Sequence, residues 1–149
     1  MRIALYQPDQ AGNVGTILRL AACLATPVDI IEPCGFAFSD RALKRAGMDY
    51  AAIANVTRHP GWDSFTRTLE GRLILLTTAA AARFDEKQFM HGDVLLLGSE
   101  SGGVPDDVHR RADLRLRIPQ AKGTRSLNIA VAAGIALAEA LRQTDGWPT

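Results

Sequence analysis

The sequence predicts an α/β domain, a mostly parallel sheet with helices on both faces. Two observations carry this. Short apolar runs of strand length alternate along the chain with stretches whose apolar residues recur at helical spacing. The 149 residues also show no internal repeat, low-complexity tract or linker. Residues 1–149 therefore read as one domain, long enough to bury a core without disulfides.

Ile3-Ala4-Leu5-Tyr6 is the first strand, ended by Pro8 and Gly12. Val14, Ile17, Leu18, Ala21 and Ala25 then mark one face of a helix. Val28-Asp29-Ile30-Ile31 is a second strand, stopped by Pro33 and Gly35. Ser39 or Asp40 can cap a short helix through Ala46, which Gly47 ends. A weaker strand near 53–56 and a helix near 62–69 lead to two clear strands, Leu73-Ile74-Leu75-Leu76 and Val94-Leu95-Leu96-Leu97. Pro105 starts a short helix toward Arg111. Residues 114–118 alternate, which puts Arg115 and Arg117 on one face of a strand.

The last element is a helix over about 127–142, with Ser126 placed as its N-cap. Every residue from 129 to 138 is apolar or glycine. A helix apolar all round must be covered all round. Either a second subunit packs on it through Ala132, Ala133, Gly134 and Ala136, or it is sunk wholly in its own core.

The net charge of +1 does not announce a nucleic-acid binder, but its distribution is uneven. Arg110, Arg111, Arg115, Arg117, Lys122 and Arg125 stand against Asp113 alone, and Arg41, Lys44 and Arg45 form a second cluster. Each cluster is either solvated surface or a phosphate-binding patch. Cys23 and Cys34 sit in apolar stretches, and Met1 runs directly into the first strand without a charged leader. No apolar run approaches the ~20 residues that span a bilayer. The expectation is a cytoplasmic protein with reduced thiols and no membrane association.

Several chemistries are excluded. There is no G-x-x-x-x-G-K-[ST] and no G-x-S-x-G, and Gly98, Gly102 and Gly103 miss the dinucleotide-binding spacing. His59, His91 and His109 make no metal-ligand spacing with the cysteines, so no metal is expected. Ligands of such sheets bind beyond the carboxyl ends of the strands, which directs attention to the loops after Tyr6, Leu76, Leu97 and Ile118.

Three segments at strand ends remain. In Asn13-Val14-Gly15-Thr16-Ile17-Leu18-Arg19, the arginine lies beside small residues, away from the apolar face, as a functional cation or a surface one. Leu97-Gly98-Ser99-Glu100-Ser101-Gly102-Gly103 is either an ordinary strand-to-helix turn or a loop where Gly98 leaves room for a ligand around a lone acid. The third runs from Ile118-Pro119 to Ser126-Leu127-Asn128.

In this order, Asn13/Gly15/Arg19, Gly98/Glu100/Gly103 and Ile118-Pro119…Ser126-Leu127-Asn128 resemble the signatures of the SPOUT superfamily of RNA methyltransferases. Ile31-Glu32-Pro33…Gly35-Phe36, Arg45-Ala46-Gly47…Asp49-Tyr50 and Val56-Thr57-Arg58-His59 further resemble the tRNA (cytidine/uridine-34)-2′-O-methyltransferases. The resemblance covers nearly the whole chain. One position departs, because Gly102 stands where members often carry a basic residue.

The resemblance implies a C-terminal trefoil knot, which sequence rules alone would not propose. It implies S-adenosyl-L-methionine as cofactor, held by Leu76, Thr77, Gly98, Ser99, Glu100, Gly103, Ile118, Ser126 and Leu127. Arg19, Asn13, Glu100, Ser126 and Asn128 become the catalytic set. Arginine scarcely deprotonates, so Arg19 is expected to hold the phosphate beside the target ribose and stabilise a developing alkoxide. A phosphate oxygen or Glu100 then accepts the proton. The implied partners are a tRNA anticodon loop, met through Arg41, Lys44, Arg45 and Arg58, and a second copy of the chain. Methylation at another tRNA position or on rRNA, a non-catalytic RNA-binding module, and a flavodoxin-like or receiver domain are the competing readings.

Overall fold

The computed structural model describes residues 1–39, 41 and 54–149. Its strands are β1 (Arg2–Tyr6), β2 (Val28–Ile31), β3 (Val56–His59), β4 (Leu73–Leu76), β5 (Ala82–Arg83), β6 (Val94–Leu97) and β7 (Leu114–Arg117). Its helices are α1 (Ala11–Cys23), α2 (Trp62–Arg67), α3 (Asp106–Arg111) and α4 (Ile129–Thr144), with a 3-10 turn at Phe84–Glu86. The strands form one sheet in the order β3-β2-β1-β6-β4-β7-β5, and every pairing is parallel.

Helices cover both faces, which is why the central strands are apolar at nearly every position. On one face α1 buries Val14, Ile17, Leu18 and Ala21 beside Ala133, Ala136 and Leu137 of α4, over Ile3, Leu5 and Leu95 of the sheet. On the other, Phe65 of α2 and Val108 of α3 pack over Ala4, Leu73, Leu75 and Leu96. Successive residues of β1, β4 and β6 thus serve opposite cores, as strand geometry requires.

Asp29 is the exception inside β2, with 2% of its surface exposed. Burying a carboxylate is costly unless it is paired. Arg2 grips both its oxygens at 2.8 Å, and His59 Nε2 stands 2.7 Å from Oδ1. The trio ties β1, β2 and β3 together and gives His59 a structural role.

The expected elements lie close to the observed ones, with instructive shifts. The strand expected near 53–56 is Val56–His59, aligned by the register Val28↔Val56 through Ile31↔His59. α1 ends before Ala25, which adopts a left-handed φ of 49°. The expected helix through Ala46 lies outside the described residues.

Ser126 does not cap the last helix. α4 starts at Ile129, and Asn128 is the cap, its Oδ1 accepting from the Ala130 and Val131 amides at 2.8 and 3.4 Å. The small residues of α4 are used within the chain: Ala133 and Ala136 are fully buried, and a Cβ on Gly134 would meet Leu20 Cδ2 at 3.8 Å. The large apolar side chains that α4 leaves outside are Val131, 50% exposed, and Ile135, 37% exposed. Among the described residues no helix is long and apolar enough to cross a membrane. The α/β architecture with helices on both faces is the one expected, and the sheet expected to be mostly parallel is parallel at every pairing of its strands; the trefoil threading rests on the family resemblance.

Candidate active site

The carboxyl ends of β6, β4 and β7 open onto a cavity of about 480 Å³, bounded above by the chain leading into α4. Each strand delivers its end residues to the wall: Leu97, Gly98 and Ser99 from β6, Leu76 and Thr77 from β4, and Ile118 after β7. Ser126 and Leu127 close the side nearest α4, and Asn13 and Glu100 stand at its polar end with Asn128. All nine residues expected to hold the cofactor line this one space.

The glycine loop is shaped by its own backbone. Ser99 and Gly103 exchange amide hydrogen bonds of 3.0 and 2.9 Å, closing a tight loop. Gly103 sits at φ +63°, the region that favours glycine. A Cβ on Gly98 would lie 2.7 Å from the Gly103 carbonyl carbon. Gly98 lines the cavity as expected, and the first obstacle to a side chain there is the Gly103 backbone.

Glu100 organises the polar end. Its Oε1 accepts from Asn13 Nδ2 at 3.1 Å and its Oε2 from the Asp9 amide at 2.9 Å. A carboxylate oxygen can only accept, so Asn13 must turn its amide nitrogen toward Glu100. Asn13 Oδ1 is then free to accept from Asn128 Nδ2 at 2.8 Å, and Asn128 turns its own oxygen to the α4 amides. Donor and acceptor orientations are fixed along the whole line from α4 to Glu100.

The adjoining loop is tied in by Asp9, whose carboxylate accepts from the Ser101 hydroxyl and from the Ser101 amide at 3.2 Å. The Ser101 hydroxyl holds the Asp9 carboxyl below the usual carboxylate range.

Not every expected site residue gathers here. Arg19 is exposed on α1 and does not line the cavity. It lies about 9 Å further along the helix than Asn13. Arg41 is exposed and does not line the cavity, while Lys44 and Arg45 lie outside the described residues. Arg58 pairs with Glu32 and stacks over Phe38 at 4.5 Å, so its guanidinium already has partners. Of the second basic cluster, Arg115 donates to the His109 carbonyl at 2.7 Å and Arg117 to the Ala81 carbonyl at 3.4 Å.

Sequence reasoning missed Gln10, Thr78, Val104, His109 and Gln120, which also line the cavity. For His109 the available signal was position: the helix started by Pro105 follows the glycine loop directly, so its side chains fall within reach of the same space. Among the described residues no cluster of His, Cys, Asp and Glu has the arrangement of a metal site.

Comparison with known proteins places this geometry. Residues 1–138 match the model of the SpoU rRNA Methylase family. A tRNA (cytidine(34)-2′-O)-methyltransferase of Ancylobacter novellus is 47% identical over 150 residues, covering 99% of this chain and 95% of that protein. A solved structure concerned with the 2-OH methylation of C/U34 on tRNA superposes with a TM-score of 0.88 at 40% identity, covering 95% of this chain and 89% of that one. An AdoMet-bound rRNA methyltransferase from Sinorhizobium meliloti superposes with a TM-score of 0.84 at 29% identity, covering 95% of this chain and 55% of that one. An all-parallel sheet, a cavity at its carboxyl ends and a match across most of the sequence agree: the chain belongs to the SpoU rRNA Methylase family.

Proposed function

We propose that the chain transfers a methyl group from S-adenosyl-L-methionine to the ribose 2′-hydroxyl of the wobble pyrimidine, position 34, of tRNA, and that it works in the cytoplasm as a homodimer. The observation that carries the reading is the oriented line Asn128–Asn13–Glu100 at one end of a cavity whose wall mixes polar and apolar side chains. The cavity's volume suits a ligand of nucleoside size. Leu76, Leu97, Val104, Ile118 and Leu127 offer apolar contact to an adenine ring, and the polar end offers fixed dipoles. The residues present fit the cofactor.

Bound there, S-adenosyl-L-methionine supplies a methyl carbon already activated on a sulfonium, with a neutral thioether as leaving group. The chain's task is alignment of the ribose oxygen and removal of its proton. Asn13 and Asn128, held in one orientation, position the polar end. Glu100 already accepts one N–H on each oxygen and so acts as the anchor of that line. Arg19, outside the cavity on α1, belongs to the RNA side. It holds the phosphate beside the target ribose and stabilises charge developing on the ribose oxygen, leaving a phosphate oxygen as proton acceptor.

The anticodon loop suits this site because an unpaired loop exposes a ribose that a stem hides. Arg41, Lys44 and Arg45 serve as its phosphate contacts, and Arg58 adds a stacked guanidinium face. Val131 and Ile135 are the apolar surface offered to a second copy.

The test uses tritiated cofactor and bulk tRNA from a strain lacking the activity. Label is expected in a 2′-O-methylated cytidine or uridine at position 34. Arg19→Ala is expected to abolish transfer while keeping affinity for S-adenosylhomocysteine. Label in ribosomal RNA with none in tRNA would overturn the substrate.

A further inference from the structure

The cavity wall contains two ionisable side chains among the described residues, Glu100 and His109, and no lysine or arginine. They come from opposite sides of the sheet. Glu100 joins α1 and α4 through Asn13 and Asn128. His109 belongs to α3, which packs on the other face through the fully buried Val108. The guanidinium of Arg115, which reaches the end of α3, points elsewhere, with one nitrogen on the carbonyls of His109 and Ala112 at 2.7 and 3.4 Å.

S-adenosyl-L-methionine carries three charges: the sulfonium, the α-ammonium and the α-carboxylate. On the reading above, the sulfonium would face the acceptor ribose from the Asn13–Glu100 end. Outside the Asn128–Asn13–Glu100 line three side chains of the cavity wall can donate an N–H to the anionic carboxylate: Gln10 and Gln120, both exposed, and His109, which is half-buried and the one of the three that can also carry a positive charge. An imidazole offers an N–H in either tautomer and two when protonated.

We propose that His109 is a cofactor-binding residue that donates a hydrogen bond to the α-carboxylate of the methionyl end of S-adenosyl-L-methionine. The inference rests on the cofactor reading above, and it gives α3 a part in ligand binding.

Two ligands separate the possibilities. S-adenosylhomocysteine keeps the carboxylate; 5′-methylthioadenosine keeps the nucleoside and thioether but lacks the amino acid. Titration calorimetry compares both on the wild-type chain, on His109→Phe, which keeps ring volume without nitrogens, and on His109→Gln, which keeps one donor group. Thermal melts check folding, and His109→Gln decides the matter should His109→Phe fail to fold. The expected result is about a tenfold loss of S-adenosylhomocysteine affinity in His109→Phe, the scale of one charge-assisted hydrogen bond. A smaller loss is expected in His109→Gln, and methylthioadenosine affinity should stay unchanged in both. Equal weakening of the two ligands, or no change for either, overturns the proposal. If the wild-type chain binds neither ligand, the cofactor reading itself fails.

Discussion

Asn13 and Glu100, 87 positions apart in the chain, meet with Asn13 Nδ2 3.1 Å from Glu100 Oε1, and this contact sets the direction of every amide in the line that ends at α4. Because a carboxylate only accepts, no residue in the line can flip without losing a bond.

Glu100→Gln tests that polarity. Glutamine brings one acceptor oxygen and one NH2 group, so it cannot accept from both Asn13 and the Asp9 amide. A misaligned site of this kind is expected to turn over about a hundredfold more slowly, with S-adenosylhomocysteine affinity little altered. The pH–rate profile should keep its shape. Loss of its acidic limb in Glu100→Gln would make Glu100 the proton acceptor.

Asn128 has two duties that two variants separate. Asn128→Ala removes the helix cap and should destabilise the fold by about 1 kcal/mol. Asn128→Ser keeps a capping oxygen but cannot reach Asn13, so its melt should be near wild type while its kcat falls. Equal melts for the two variants would show that the α4 cap contributes nothing.

Gly98→Ala should act on the loop before it acts on any ligand. The new Cβ would press on the Gly103 backbone, which lies 2.7–2.9 Å away and has no side chain to rotate. A lowered melting temperature is expected without cofactor present, by an overpacking cost of about 1–3 kcal/mol. An unchanged melt with lost S-adenosylhomocysteine binding would restore the ligand-space explanation.

The two free cysteines should differ in reactivity. Cys23 is exposed, whereas burial pushes the Cys34 thiol up to about 11. The thiolate is the nucleophile, so at pH 8 Cys34 presents it in about one molecule per thousand. Iodoacetamide at pH 8 should label Cys23 first, and raising the pH to 10 should accelerate Cys34 labelling steeply. Equal rates at pH 8 would contradict the burial.

Much of this was legible in the sequence for physical reasons. β2, β4 and β6 are four-residue strands buried on both faces, and their boundaries follow the apolar runs with Asp29 as the one polar intruder. β5 escaped notice because two residues, Ala82 and Arg83, carry no periodicity. Serine and asparagine suit a helix cap equally, so Ser126 and Asn128 are equivalent candidates in the sequence, and only the observed start of α4 separates them. The cavity's glycines and apolar residues were found through ordered motifs. For His109 the position of its helix after the glycine loop narrows the choice, but a six-residue helix does not say which of its side chains faces the cavity. Nor could the sequence distinguish a free Arg58 from one already paired with Glu32.

The central claim is delivery of one methyl group to the ribose oxygen of nucleotide 34. Its most direct test is mass spectrometry of synthetic anticodon stem-loops after incubation with the protein and S-adenosyl-L-methionine. One loop carries the natural 2′-hydroxyl at position 34, and its twin carries hydrogen there. The account predicts that the first gains the mass of a single methyl group, located by digestion to nucleotide 34, and that the second gains nothing. Methylation of the 2′-deoxy loop, or of the natural loop at any atom other than that oxygen, would contradict it.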